Sequence, residues 1–209
     1  MAKVINETKG RAVVTPRGSA SWVKIKDPDT TFDADGIFSA NIVLDPEASD
    51  VQKFISNMEK LRDQAFEEAK RNLAPAKAKS LAVKDVFHEE MDKEGNETGK
   101  IFLKTKTKAK GVDRNGNEYN VTIPVFDDKG VEQKDWNLLI GNGSVIKLQV
   151  WANPYYMANG NFVGITLKLK KIQIIDLIKY EAGGESFTDE SGDGFEDTSE
   201  TFEDSDGDF

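Results

Sequence analysis

From Val51 to Leu73 the apolar residues Val51, Phe54, Ile55, Met58, Leu61, Ala65, Phe66, Ala69 and Leu73 recur at spacings of three and four. That period gathers them on one face of a helix, predicted over residues 47–73. Asp45-Pro46 stops the preceding segment and suits a helix start. Ser49-x-x-Gln52 offers a second, capping-box start. Pro75 ends the helix. Elsewhere the period is two. Phe38, Ala40, Ile42 and Leu44 alternate over residues 37–44, and a weaker strand is predicted over 19–25. Residues 74–99 are weakly patterned and read as a long connection. Asp113-Arg114-Asn115-Gly116-Asn117 is a hairpin signal. It leads to a return strand over 118–126 with Tyr119, Val121, Ile123 and Val125 on one face. Asp128-Lys129-Gly130 turns again. A strand over 144–151 follows Gly141-Asn142-Gly143, and Asn153-Pro154 is predicted to break it. After the turn Asn159-Gly160-Asn161, a long apolar strand covers 162–178. Its phase shifts near Lys170-Lys171, as a β-bulge would cause.

Six or so strands, hairpin turns and one substantial helix, without βαβ alternation, describe a mainly β fold. The pattern favours a small antiparallel barrel or sandwich with an amphipathic helix packed on it. Gly183-Gly184 marks the boundary between a body, 1–180, and a tail, 181–209. The tail is rich in Gly, Ser, Thr, Asp and Glu, a composition that predicts disorder.

Charge divides along the same line. The chain has 37 acidic and 28 basic residues, a net of −9. Twelve of the acids lie from Glu181 onward, where there is no lysine or arginine, so 28 bases face 25 acids in the body, a net of +3. A basic body with an acidic tail suggests a polyanion partner and an interaction tail. There is no cysteine, which excludes disulfides, zinc-thiolate sites and cysteine nucleophiles. The opening MAKVINETKG has no apolar h-region, and no apolar run approaches a membrane span. A cytoplasmic setting without membrane contact is expected.

The most informative stretch is KIFLKTKTKAKG, residues 100–111. Lys100, Lys104, Lys106, Lys108 and Lys110 fall on even positions with Phe102 among them. In a strand these project to one face, about 6.6 Å apart at ~3.3 Å rise per residue, while Ile101 and Leu103 go inward. That interval is close to the spacing of phosphates in an extended single strand, and an aromatic beside it gives a base a surface to stack on. A solubilising edge strand would also use lysine. Further aromatics lie near basic residues: Trp22 beside Lys24, with Arg11, Arg17 and Lys26 nearby, and Trp151, Tyr155 and Tyr156 around Asn153-Pro154. Tyr155 and Tyr156 point opposite ways if extended. Aromatics interleaved with lysine and arginine favour a single-stranded over a double-stranded nucleic acid, whose stacked bases are closed to side chains.

The tail carries Phe187, Phe195, Phe202 and Phe209 at intervals of eight, seven and seven. Carboxylates and evenly spaced rings together imitate phosphates and bases. Such a tail can compete for the body's own basic groove or dock on a basic patch of another protein. Asp204-x-Asp206-Gly207 lacks the later ligands of a calcium loop. No P-loop occurs, His88 is the single histidine, and the densest carboxylates lie in the tail. No enzymatic activity, metal or cofactor is expected.

These features resemble the single-stranded DNA-binding proteins of tailed-phage replication systems, with an acidic tail ending in Phe. The resemblance is carried by the start MAK, the helix after Leu44-Asp45-Pro46, and residues 100–110 leading into Asn120-Val121-Thr122-Ile123-Pro124-Val125. It continues through Ile140-Gly141-Asn142-Gly143-Ser144, Asn153-Pro154-Tyr155 and the ending Asp206-Gly207-Asp208-Phe209. It implies an OB-fold-like antiparallel β-barrel that binds single-stranded DNA with little sequence preference, forms a homodimer and promotes annealing in replication and recombination. The setting it implies is the cytoplasm of an infected bacterium. It also implies that Lys3, the lysine strand and Tyr155 face DNA. The tail, through Asp204, Asp206, Asp208 and Phe209, would contact the phage DNA polymerase and helicase-primase. The chain departs from the family pattern at Asp35-Gly36, where some relatives carry a basic residue before the second strand, and at Met157, where an aromatic is missing. The rival reading is an acidic-tailed adaptor or chaperone of basic proteins that does not bind DNA. It accounts for the tail but not for the lysine strand.

Overall fold

A computed structural model describes residues 4–179. Lys3, expected to face DNA, and the tail at 181–209 with Asp204, Asp206, Asp208 and Phe209, expected to contact partners, lie outside the described residues. The elements in chain order are β1 (Arg11–Val14), β2 (Gly18–Asp29), β3 (Ile37–Leu44), α1 (Ser49–Asn72), α2 (Pro75–Lys79), β4 (Ala82–Val83) and β5 (His88–Met91). They continue with β6 (Glu97–Lys108), β7 (Lys110–Val112), β8 (Glu118–Asn120), β9 (Val125–Phe126), β10 (Val145–Met157) and β11 (Phe162–Asp176). The fold is mainly β, as its patterning requires.

The main sheet runs β4-β11-β10-β2-β3-β6-β5, with β1 added on β10 and β9 on β11; β7 and β8 form a separate hairpin. All described pairings are antiparallel except β4 and β9 with β11. The sheet is not closed into a barrel. β6 lies alongside β11 without a shared ladder, and other strands pair with parts of their outer edges. β5 takes that of β6 near Phe102, and β4 and β9 take that of β11 at its two ends.

The inner face carries Ala40, Ile42, Leu44, Leu103, Ile146, Leu148, Val150, Leu169 and Ile172, all fully buried. Against it α1 packs Val51, Phe54, Met58 and Leu61 in one continuous core. The predicted helical face is thus the buried one. The capping box is not formed: Ala48 is the N-cap and offers no side-chain acceptor, and within the first turn it is Asp50 that accepts the Val51 N–H, at 3.0 Å. Asp45 instead accepts the Glu47 N–H at 2.9 Å, shaping the turn that contains Pro46. Pro75 opens α2 rather than merely ending α1, and the expected long connection holds three short elements.

β10 runs through Asn153-Pro154 instead of breaking there. β1 reaches along it only to Ala152, paired with Arg11. Beyond that point the edge that Pro154 turns outward has no neighbour needing an N–H. The bulge expected near Lys170-Lys171 is present: Gln149 pairs with Lys171 but Val150 with Leu169, leaving Lys170 extra. Among the described residues, no helix is long and apolar enough to cross a membrane.

Candidate nucleic-acid interface

The lysine strand is β6 and its continuation into β7. Leu103 and Thr105 are buried, while Lys100, Lys104, Lys106, Lys108 and Lys110 are exposed. Alternation alone does this, since successive strand residues point to opposite faces. Thr105 is satisfied inside by donating its hydroxyl to the Ala40 carbonyl at 2.6 Å.

Register then builds a surface around these lysines. Lys104 lies opposite Asn41 of β3, and Asn41 opposite Ser21 of β2. One step along, Lys106 lies opposite Ser39, and Ser39 opposite Lys24. The middle strand therefore presents short polar side chains beside the lysines, with Ser39 flanked by a lysine on each side and Asn41 by Lys104 and Ser21. At the β5 end this face deepens into a cleft of about 950 Å³ lined by Trp22, Asn41, Val43, Lys84, His88, Phe102 and Lys104, among others.

Trp22 is the unusual residue of the cleft. It is 72% exposed and its φ is +51°, a left-handed conformation that costs an ordinary residue roughly 1–2 kcal/mol. The cause is a register shift: Ser21 pairs with Asn41 but Lys24 with Ser39, so β2 carries an extra residue there. The bulge turns Trp22 outward, and its N–H is held by Asn142 Oδ1 at 2.9 Å. Backbone strain of this kind clusters at functional sites, and here it presents an indole to solvent. Phe102 forms part of the opposite wall. Its ring lies 5.2 Å from that of His88 at 32°, and Lys104 Nζ is 5.3 Å from its centroid.

Several cations are already engaged. Lys24 pairs with Asp29 at 2.7 Å, Lys108 with Asp33 at 3.0 Å and Lys110 with Asp35 at 3.3 Å. The Lys24 ammonium, with the Thr31 hydroxyl and amide, holds the Asp29 carboxyl far below the usual carboxylate range. All three acids lie between the last residue of β2 and the start of β3.

The remaining predicted residues lie elsewhere. Trp151, 40% exposed, sits on β10 directly opposite Lys168 of β11 and Ala12 of β1. Its Nε1 lies where a Cβ on Gly10 would fall, so the indole needs a glycine beneath it. Tyr155 covers Gly164 in the same way and meets the Phe162 ring edge-on at 6.0 Å. Lys84 stands 5.6 Å over that same Phe162 ring while also lining the cleft, so Tyr155 adjoins the cleft through two neighbours. Tyr156 faces the helix side, against Ala65, Ala69 and Val163, and donates its hydroxyl to Asn161 at 2.9 Å. Arg11 donates to the Asn57 carbonyl of α1 at 2.8 Å, and Arg17 is exposed between β1 and β2. The structure thus brings together Trp22, Lys24, Phe102, Lys104, Lys106, Lys108 and Lys110. It sets Trp151 and Tyr155 on the β10–β11 hairpin and gives Tyr156 a packing role.

Residues 17–177 match the family model described as "Single-stranded DNA-binding protein, Bacteriophage T7". The chain belongs to that family. The match spans β2 to β11 and so includes the whole cleft. Among solved structures, gp2.5, a single-stranded DNA-binding protein of bacteriophage T7, superposes with a TM-score of 0.67 at 20% identity, covering 84% of this chain and 91% of that one. The single-stranded DNA-binding protein of bacteriophage Enc34, truncated at its C terminus, gives a TM-score of 0.47 at 12% identity, covering 79% and 85%. No curated protein sequence matches the chain.

Three residues that line the cleft are not legible as such in the sequence, His88, Lys84 and Asn41, and neither is Asn142, which holds the Trp22 backbone N–H. His88 and Lys84 fall in the stretch read as a connection, and only the pairing of β5 with β6 places them. Asn41 carried a usable signal, since it lies on the outward phase of a well-patterned strand.

Proposed function

We propose that this member of the phage family binds single-stranded DNA, without sequence preference, along the outer face of β2, β3 and β6. Trp22 and Phe102 stack on bases while Lys104, Lys106 and the further lysines of the row meet the phosphates. The observation that carries this reading is the strained, exposed Trp22 held across a cleft from the lysine strand. An adaptor could also use an exposed indole, but an adaptor for basic proteins would not set it beside a row of exposed lysines. A duplex offers it no open stack.

In this reading the protein coats single strands during phage replication and recombination and, as a homodimer, promotes annealing. Its tail, through Asp204, Asp206, Asp208 and Phe209, recruits the phage polymerase and helicase-primase. At rest the tail competes with DNA for the basic face. Deleting residues 181–209 is expected to tighten DNA binding, most at low salt, where charge interactions are least screened. Equal or weaker affinity would remove the competition from the scheme.

The primary test is a titration of intrinsic fluorescence with oligo-dT at two salt concentrations. Quenching that saturates and weakens with salt is expected. A signal unmoved by oligo-dT would favour the adaptor.

A further inference from the structure

His88 is the chain's single histidine and opens β5 opposite Phe102 of β6. Their rings lie 5.2 Å apart at 32°, close enough to present a joint aromatic surface. The charged groups around it come from three segments. Lys84 and Asp85 precede it, Glu89 and Glu90 follow it, and Lys104 stands on β6; all six residues, His88 among them, line the cleft. Two of the acids are otherwise occupied: Asp85 by Arg62 of α1 at 2.8 Å, and Glu90 by the Thr98 hydroxyl at 2.7 Å. Among the charged groups around it, the two ammonium groups act most strongly on the imidazole. Burial, then Lys104 and Lys84, hold its pKa below the ordinary 6.5, against a smaller upward pull from Asp85.

Resting on the single-stranded DNA reading, we propose that His88 is a nucleotide-contacting residue, stacked with Phe102 into one platform for a base, and that binding a phosphate at Lys84 and Lys104 draws a proton onto its imidazole. In the empty cleft a protonated His88 would be a third positive charge beside two lysines. A phosphodiester across those lysines cancels the repulsion and adds an attraction. Phe102 then favours the cation further through its ring face. The sign follows. Binding takes up a proton, so affinity rises as pH falls through the interval between the free and the bound pKa. It is level above the bound value and below the free one. At most one proton is involved, which limits the gain to about tenfold per pH unit.

The experiment titrates the full-length protein with oligo-dT, whose bases do not ionise in this range, between about pH 8 and pH 5 at constant salt. Wild type is compared with His88→Phe and His88→Ala. Wild type should gain affinity on the acid side and, by calorimetry in buffers of different ionisation enthalpy, take up a fraction of a proton. His88→Phe keeps a ring but cannot titrate; its profile should be flatter than that of wild type, whatever its absolute affinity. His88→Ala should lose the acid-side gain and bind more weakly at pH 8, by roughly fivefold or more for a lost stacking partner. Tail and cleft carboxylates are common to all three proteins, so the difference between profiles isolates the imidazole. A His88→Phe profile parallel to wild type, or no proton uptake, overturns the proposal. Failure of the wild type to bind oligo-dT at any pH overturns the parent reading instead.

Discussion

The carboxylate of Asp33 lies 3.0 Å from the ammonium of Lys108. Two residues on, Asp35 stands 3.3 Å from Lys110. The loop between β2 and β3 thus holds two anions against one end of the lysine row. The Lys108 ammonium, with the Asp35 amide, keeps the Asp33 carboxyl below the usual range, and Asp33 raises the Lys108 pKa in return. Phosphates of a bound strand would have to replace these carboxylates or stop short of them. Replacing both acids, Asp33→Asn with Asp35→Asn, is expected to tighten oligo-dT binding by roughly threefold to tenfold at low salt, fading at high salt. Fluorescence titration measures it. Unchanged affinity would mean that DNA never reaches this end of the row.

The same pairing divides the lysines into two classes. Among the described residues no acid forms an ion pair with Lys104 or Lys106, whereas Lys108 and Lys110 are engaged. Lys104→Ala with Lys106→Ala should weaken binding and flatten the plot of log K against log salt by about 0.7 for each lost phosphate contact. Lys108→Ala with Lys110→Ala should do less, because there DNA gains only the difference between a phosphate and a carboxylate. Equal slopes in wild type and the first variant would reduce these lysines to guards of a sheet edge.

What could be read from sequence follows from how far each signal reaches along the chain. The face of α1 and the strand β3 are local periodicities, and the Lys170 bulge is a local break in one. The exposure of the lysines needs only alternation. Trp22 is different. Its orientation depends on a slip between β2 and β3 that no residue beside it announces, so the sequence does not distinguish a buried from an exposed indole. His88 needed the partner strand of β6. Pro154 misleads because a proline breaks a strand only where its nitrogen faces a neighbour, and β1 ends short of it. The three β2–β3 acids are visible in sequence, but their pairing with lysines from β2, β6 and β7 is a property of the fold.

Trp22 offers a separation of stability from function. Glycine adopts φ near +51° without the penalty a tryptophan carries, and the N–H held by Asn142 is retained. Being largely exposed, the indole contributes little burial. Trp22→Gly is therefore expected to unfold at an equal or higher temperature than wild type while binding oligo-dT more weakly, by about 1–3 kcal/mol if one base stacks there. Thermal melting and titration of the same preparation decide it. A variant that melts lower and binds as well as wild type would make Trp22 a structural residue.

Glu68 concerns the other end of the chain. It is 1% exposed on the face of α1 that meets the N-terminal segment. Its carboxylate accepts the N–H groups of Asn6, of Glu7 at 2.7 Å and of Thr8 at 2.7 Å. Asn72 adds a bond to the Val4 carbonyl at 2.9 Å, so α1 fastens the residues that follow Lys3. Burial pushes the Glu68 pKa up, but the amides of Glu7, Asn6 and Thr8 outweigh it and hold the group down at about 2, against an ordinary 4.5. A lowered pKa stabilises the fold above the unfolded value. That contribution is lost as pH falls from about 4.5 toward 2. Glu68→Gln should remove it, cost about 1–3 kcal/mol at neutral pH, and speed amide exchange at Glu7 and Thr8 more than in the sheet. If Lys3 touches DNA, releasing its tether should also weaken oligo-dT binding. Urea unfolding across that pH interval checks the first effect. Equal stability of the two proteins at neutral pH would mean that the segment is held by its other contacts and the carboxylate is dispensable.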